Sequence, residues 1–247
     1  MSALRLAVVL APTALQLLWL RRLGAARGRA RQAARVLAYG AASAAAAGAV
    51  GTLAQGLLGL ALAEGTAGWH AARCVLCVAL VEELCKLCAA RRVSERCRME
   101  TMLCCVLAAI GFDLAENIVY SIATTMAVTV VRALKSAAGH TLYGAIMGLA
   151  LARAERARMR GGDATTWHVA AVAVPTVLHG LYDLLLYTLP PSIAFASALT
   201  HCALGTVAAV MLVRRALGGR SACYGVRPPA PVPYLYIFSF PICEERP

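Results

Sequence analysis

Glu82 and Glu83 stand side by side in Val81-Glu-Glu-Leu-Cys-Lys86, inside a largely apolar run from Trp69 to Ala90 that is long enough to cross a bilayer as a helix. Each central charge costs about 2.5–3.5 kcal/mol on insertion, so such groups face a protein interior or a water cavity and mark a functional site. On a helix Glu82 and Lys86 are spaced i,i+4 and Glu83 and Lys86 i,i+3, so the ammonium neutralises one carboxylate and leaves the other free to act. Three further groups interrupt apolar runs: Phe112, Asp113, Glu116, Asn117 and Tyr120; His140 with Gly144 and Gly148; and His179 with Asp183. Carboxylates and imidazoles on four different helices meet only in a bundle interior. Together they hold what hydrolysis requires, which is a general base, a proton donor and groups to bind a water or metal.

The elements that must position them follow from hydropathy. The chain has 247 residues, 60% of them hydrophobic, and its apolar runs of near-spanning length are separated by short arginine clusters, the pattern of an all-α, polytopic membrane helix bundle. The runs are Leu6 to Leu20, Val36 to Ala63, Trp69 to Ala90, Met102 to about Val131, His140 to Ala152, Trp167 to Tyr187 and Ile193 to Val213. Only Arg5 precedes the first run and six arginines follow it, the reverse of a cleavable signal's bias, which predicts a retained helix with an outside amino terminus. A count of about seven transmembrane helices then puts every arginine-rich loop on one side, with a cytoplasmic carboxyl terminus.

The fourth run is too long for one straight crossing, and we expect the part after Tyr120 to turn along the outer interface, leaving Arg132 and Lys135 outside. These boundaries set Glu83 toward the inner half of its helix and Glu116 toward the outer half of its own. Extending the fourth helix to about Thr125 reduces that mismatch. Pro175 removes a backbone hydrogen bond four residues before His179 and is expected to kink its helix toward the site.

Residues 1–222 read as a single transmembrane domain with a motif-bearing core over about 69–188, and 223–247 as a Pro-rich irregular tail whose Tyr234 to Phe240 stretch could touch the interface. The net charge of +12 falls in bands between apolar runs and not on one soluble face, which favours the lipid bilayer and no nucleic acid. Most of the ten cysteines lie in predicted membrane helices, where Cys behaves as a small apolar residue. Cys74, Cys77, Cys85 and Cys88 would be strung over about 21 Å of continuous helix and cannot share one metal. Oligomeric state leaves no trace in the sequence.

The ordered set Glu82-Glu83-x-x-Lys86, Phe112-x-x-x-Glu116-Asn117-x-x-Tyr120, Arg132 ahead of Gly139-His140-x-x-x-Gly144, and His179-Gly-x-x-Asp183 resembles the PrsW family of membrane proteases over about residues 80–185. The resemblance implies a glutamate-dependent intramembrane or membrane-proximal protease, distantly similar to CAAX prenyl proteases and to the Aph scaffold subunit of γ-secretase. Lys86 stands where the CAAX enzymes have Arg one position later, and Glu116 where they have His, which argues against prenyl-protein processing. The family's best-known member makes the first cut in a membrane-anchored anti-sigma factor, a substrate that does not transfer.

The implied protein is multi-pass in a plasma or inner membrane and hydrolyses a peptide bond in a membrane-associated protein substrate. Glu82 or Glu83, with Glu83 preferred, takes a proton from water. His140 and His179 hold that water directly or through Zn²⁺, Asp183 orients His179 or shares the ligand, and Glu116 with Asn117 completes the site. The candidate metal set is His140, His179, Glu116 and Asp183; a metal-free glutamate mechanism uses the same residues. The rival reading is a non-catalytic scaffold, or a transporter relaying protons through these groups.

Overall fold

A computed structural model of the protein describes residues 2–23, 30–93 and 98–218. The Pro-rich tail and the loop arginines Arg27, Arg29, Arg96 and Arg220 lie outside the described residues. Every regular element among those described is helical: α1 (Ala3–Arg22), α2 (Ala30–Ala61), α3 (Ala67–Ala72), a π-helical segment (Arg73–Leu80), α4 (Val81–Arg91), α5 (Arg98–Ala123), α6 (Met126–Met159), α7 (Thr165–Thr188) and α8 (Pro191–Gly218). Five of these helices, α1, α2, α5, α7 and α8, are long and apolar enough to cross a membrane, and the protein is an all-α membrane bundle. The rod from α3 through α4 and the helix α6 are the ones that carry Glu82, Glu83, Lys86, Arg132, Lys135 and His140.

Local chemistry sets the helix ends. Ser2, Thr66 and Thr125 are N-caps whose hydroxyls accept from the backbone N–H three residues on. Helix α6 ends in a Schellman turn: Gly161 adopts φ 72°, Gly162 N–H donates to the Ala157 carbonyl at 2.9 Å and Gly161 N–H to that of Arg158 at 3.0 Å. Asp163 then accepts from Thr165 N–H at 2.8 Å and starts α7. Pro191 opens α8, where its missing N–H has no helical acceptor to lose.

One expected boundary is corrected. The helix ends differ from those expected: α5 runs on to Ala123, the chain turns at Thr124 and Thr125, and α6 continues without a break from Met126 past His140. The Thr125 cap supplies the helix start, and Arg132 stays inside the fold because Glu116 of α5 pairs with it at 2.6 Å. The extension of the fourth helix also brings Glu116 level with its partners.

Helices α5 and α6 form the centre, and α2, α7 and α8 pack around them. Small residues allow the close approach, as the Gly144 spacing suggested. A Cβ on Gly144 of α6 would stand 2.7 Å from the Cys105 carbonyl oxygen and 2.8 Å from the Ala109 Cβ on α5. A Cβ on Gly180 of α7 would meet Val75 of the π-helical segment at 2.8 Å. The first contact holds the His140 helix against α5, which bears Glu116, and the second holds the His179 helix against the rod that bears the paired glutamates. Cys74, Cys77, Cys104 and Cys105 are buried free thiols in this packing, as their apolar setting predicts.

Gly144→Ala is therefore expected to destabilise by about 1–3 kcal/mol through overpacking. Gly48→Ala, where an added Cβ meets nothing within 4 Å, is expected to be neutral or to stabilise by about 0.5–1 kcal/mol through helix propensity. Thermal unfolding of the two purified variants in one detergent checks the pair.

Candidate active site

The rod Ala67–Arg91 changes its winding just before the paired glutamates. A π-helical turn takes in one more residue than an α-turn, so side chains on either side of Arg73–Leu80 no longer share the faces that regular spacing gives. No Gly or Pro marks this segment, and nothing in its residue types announces the change of winding. Beyond it, α4 turns Glu83 and Lys86 fully inward and leaves the Glu82 side chain 12% exposed.

Lys86 is the hub. Its Nζ lies 2.8 Å from Glu83 Oε1, 3.3 Å from Glu82 Oε2 and 2.8 Å from His140 Nδ1, and 4.3 Å from the centre of the Phe112 ring. An ammonium has three donors and no acceptor. With all three used, His140 Nδ1 must accept, its proton sits on Nε2, and Nε2–H donates to Glu116 Oε2 at 3.0 Å. The other Glu116 oxygen takes the Arg132 guanidinium, which lies 3.5 Å over the Tyr120 ring. Phe112, Glu116 and Tyr120 thus share a face, as their spacing implied, and each meets a different member of the cluster.

His179 reaches the same centre from α7. Its Nδ1 is 3.0 Å from Glu83 Oε1, while its Nε2 points between Asp183 Oδ2 at 3.5 Å and Glu82 Oε2 at 3.9 Å. Its ring meets that of His140 edge-on, 5.4 Å between centroids. All six residues proposed from sequence for the chemistry, Glu82, Glu83, Glu116, His140, His179 and Asp183, therefore stand within one connected cluster contributed by α4, α5, α6 and α7. Of the supporting set, Asn117 lies one shell out, donating to Asp113 at 2.9 Å, and Gly144 acts through packing.

Four residues left out of that set belong to the cluster or its wall. Asp113 is buried, accepts from Asn117 and from Ser136, and lies 4.0 Å from His140 Nε2. Ser136 was legible, one helical turn before His140. Tyr143 stacks on His179, and His201 of α8 bonds Tyr143. His201 carried no signal beyond being a lone imidazole in an apolar run.

Ligand atoms of Glu82, Glu116 and His140 lie within 4.8 Å of one another. Two carboxylate oxygens and an imidazole nitrogen suit Zn²⁺ or a related divalent ion. The charge balance agrees, because the five carboxylates Glu82, Glu83, Glu116, Asp113 and Asp183 outnumber the three permanent cations beside them, Lys86, Arg132 and Lys135. Relative to the four residues expected to hold a metal, His140 and Glu116 are in this trio, Glu82 is the third, and His179 with Asp183 forms the adjoining wall.

The site is a buried ion-pair network gathered from four helices of an all-α membrane bundle. The family model for the PrsW family intramembrane metalloprotease matches residues 28–214, and the chain belongs to that family. It is 38% identical over 77 residues to Protease PrsW of Halalkalibacterium halodurans, covering 31% of this chain and 34% of that protein. It is 37% identical over 84 residues to Protease PrsW of Bacillus subtilis, covering 32% and 36%. Each match thus spans about a third of the relative's length. No solved structure matches the chain.

Removing the hub leaves Glu83 charged, buried and short of a partner. Lys86→Met is expected to cost about 3–5 kcal/mol of stability, and Glu83→Gln in the same chain is expected to recover part of it. A double-mutant cycle of unfolding in detergent measures the coupling.

Proposed function

We propose that this protein is an intramembrane endopeptidase that hydrolyses a peptide bond in a membrane-associated protein substrate. The observation that carries the reading is the meeting of Glu82, Glu116, His140 and His179, from four helices, on one partly open centre inside an apolar bundle. Its support in topology is that Arg21 and Arg22, Arg31 and Arg35, Arg91 and Arg92, Arg153 to Arg160, and Arg214 and Arg215 all fall at one end of an alternating array. That arrangement favours seven crossings, with the amino terminus outside and the carboxyl terminus and its Pro-rich tail cytoplasmic, in a plasma or inner membrane.

The roles of the two glutamates follow from their partners. Glu83 is 0% exposed and its Oε1 is held by both Lys86 and His179, so it orients those groups. Glu82 has one bond to Lys86 and faces the open side, so it is the base that takes a proton from water, in place of the Glu83 preferred from sequence. His179, whose Nδ1–H is directed at Glu83, offers Nε2 between Glu82 and Asp183, where it accepts the proton that Glu82 took from water and passes it to the departing amine. His140 Nε2–H and Arg132 fix the Glu116 carboxylate. Asn117 and Ser136 hold Asp113 in the wall behind them.

Glu82, Glu116 and His140 would hold a divalent ion, for which His140 would have to be a neutral ring with one nitrogen free of its proton. Such an ion supplies Lewis acidity toward a scissile carbonyl. Burial away from bulk water leaves these charges in a low dielectric, which strengthens each of their interactions.

The test uses the full chain in liposomes with a panel of epitope-tagged single-span membrane proteins. Glu82→Gln, Glu116→Gln and His179→Ala are each expected to lower cleavage by at least about 100-fold with folding retained, and Glu83→Gln to lower it together with stability. Wild-type cleavage in the first three variants sinks the reading, and proton flux abolished by the same changes points to transport instead. Metal analysis of wild type is expected to find close to one divalent ion per chain, lost in Glu116→Gln and His140→Ala.

A further inference from the structure

An aromatic ladder runs from the reaction centre out to α8, and nothing in the proposed chemistry uses it. The Tyr143 ring stacks on the His179 ring, with centroids 5.0 Å apart and planes 19° from parallel. The Tyr143 hydroxyl and His201 Nε2 share a hydrogen bond of 3.0 Å, and the His201 ring in turn stacks on Tyr182 at 4.4 Å and 29°. Tyr143 is 2% exposed, so its hydroxyl is a polar group inside the bundle that requires a partner. Space for the pair is left by Gly139: an added Cβ there would already touch His201 Nε2 at 3.4 Å and the Tyr143 hydroxyl at 3.7 Å.

The His179 ring turns about its Cβ–Cγ bond, and two contacts besides Tyr143 bear on that turn: the Nδ1 bond to Glu83 and a T-shaped meeting with the His140 ring. A turn about Cβ–Cγ would swing Nε2 away from Glu82 and Asp183. The stacked Tyr143 ring blocks that rotation, and a phenol anchored at its far end by α8 resists tilting better than an unanchored one.

We infer that Tyr143 and His201 are positioning residues: His201, from a helix that supplies none of the reacting groups, locks the Tyr143 ring against His179 and so fixes the direction of Nε2. The inference rests on His179 belonging to the reaction centre, but its test does not depend on cleavage.

The full chain, isotopically labelled at histidine and reconstituted in lipid nanodiscs, gives ring carbon–proton signals that His179→Gln assigns by deletion. In wild type, His179 is expected to give one sharp set, displaced by the ring current of the stacked tyrosine. Tyr143→Leu is expected to abolish the displacement. Tyr143→Phe keeps the ring and loses only the bond, and His201→Ala loses the same bond together with the stack on Tyr182, which does not touch the His179 ring, so both are expected to broaden or split the His179 set to the same degree. Their combination is expected to do no more than either, because the two changes break one interaction. An unmoved His179 set in His201→Ala and Tyr143→Phe overturns the inference even where thermal stability falls, and so do additive effects in the double variant. Loss of cleavage in the catalytic variants bears on the preceding section alone.

Discussion

The arrangement depends on one buried ammonium. Lys86 is 1% exposed, in a bundle surrounded by hydrocarbon, and a lone charge there is strongly unfavourable. Its three donors all find acceptors, two of them carboxylates one turn away on its own helix and the third an imidazole from α6. The local pair would form on any isolated helix. The third bond needs α4 and α6 in contact, so the demand of one charge for full coordination ties the paired glutamates to His140. His140 then commits its other nitrogen to Glu116, and Glu116 its other oxygen to Arg132. Each link leaves the next atom one remaining role.

That chain of obligations accounts for where charge sits across the fold. Arg132 lies on a helix that also carries apolar and small residues, and it is tolerated because a carboxylate and the Tyr120 ring both meet it. Net negative charge remains after these pairings, concentrated where Glu82, Glu116 and Asp183 are partly open. A site of this kind gives up stability for function: the enclosed Glu83 keeps one oxygen, Oε2, buried without a hydrogen-bond partner, and Glu82 at the opening has a single bond, to Lys86. The surrounding glycines perform the opposite task. Gly144 and Gly180 let backbones meet closely enough that short side chains span the gaps.

The helical elements were legible because hydropathy and arginine bands are properties of composition, averaged over some twenty residues at a time. The site residues were legible for a different reason. Glu82, Glu83, Glu116, His140, His179 and Asp183 are each costly where they stand, and cost is visible one residue at a time. Boundaries were less so. The stretch from Tyr120 to Ala137 reads as interface because Arg132 and Lys135 are charged, and only the Glu116 partner across the helix gap explains why that stretch belongs to α6. His201 was invisible in the same way: its meaning lies in Tyr143, 58 residues earlier in the chain.

The sequence by itself determined an all-helical membrane protein and the chemical inventory of its site, since both depend on residue type and near-neighbour spacing along a helix. The tertiary structure decided which glutamate is enclosed and which faces the opening, because that turns on the rotation of α4, and the π-helical winding of Arg73–Leu80 sets that rotation without any residue that announces it. It also decided which nitrogen of His140 carries the proton and which three ligand atoms gather, since both follow from contacts among helices distant in the chain. Spacing fixes a face only while the helix keeps its pitch; where the pitch changes, the neighbours decide.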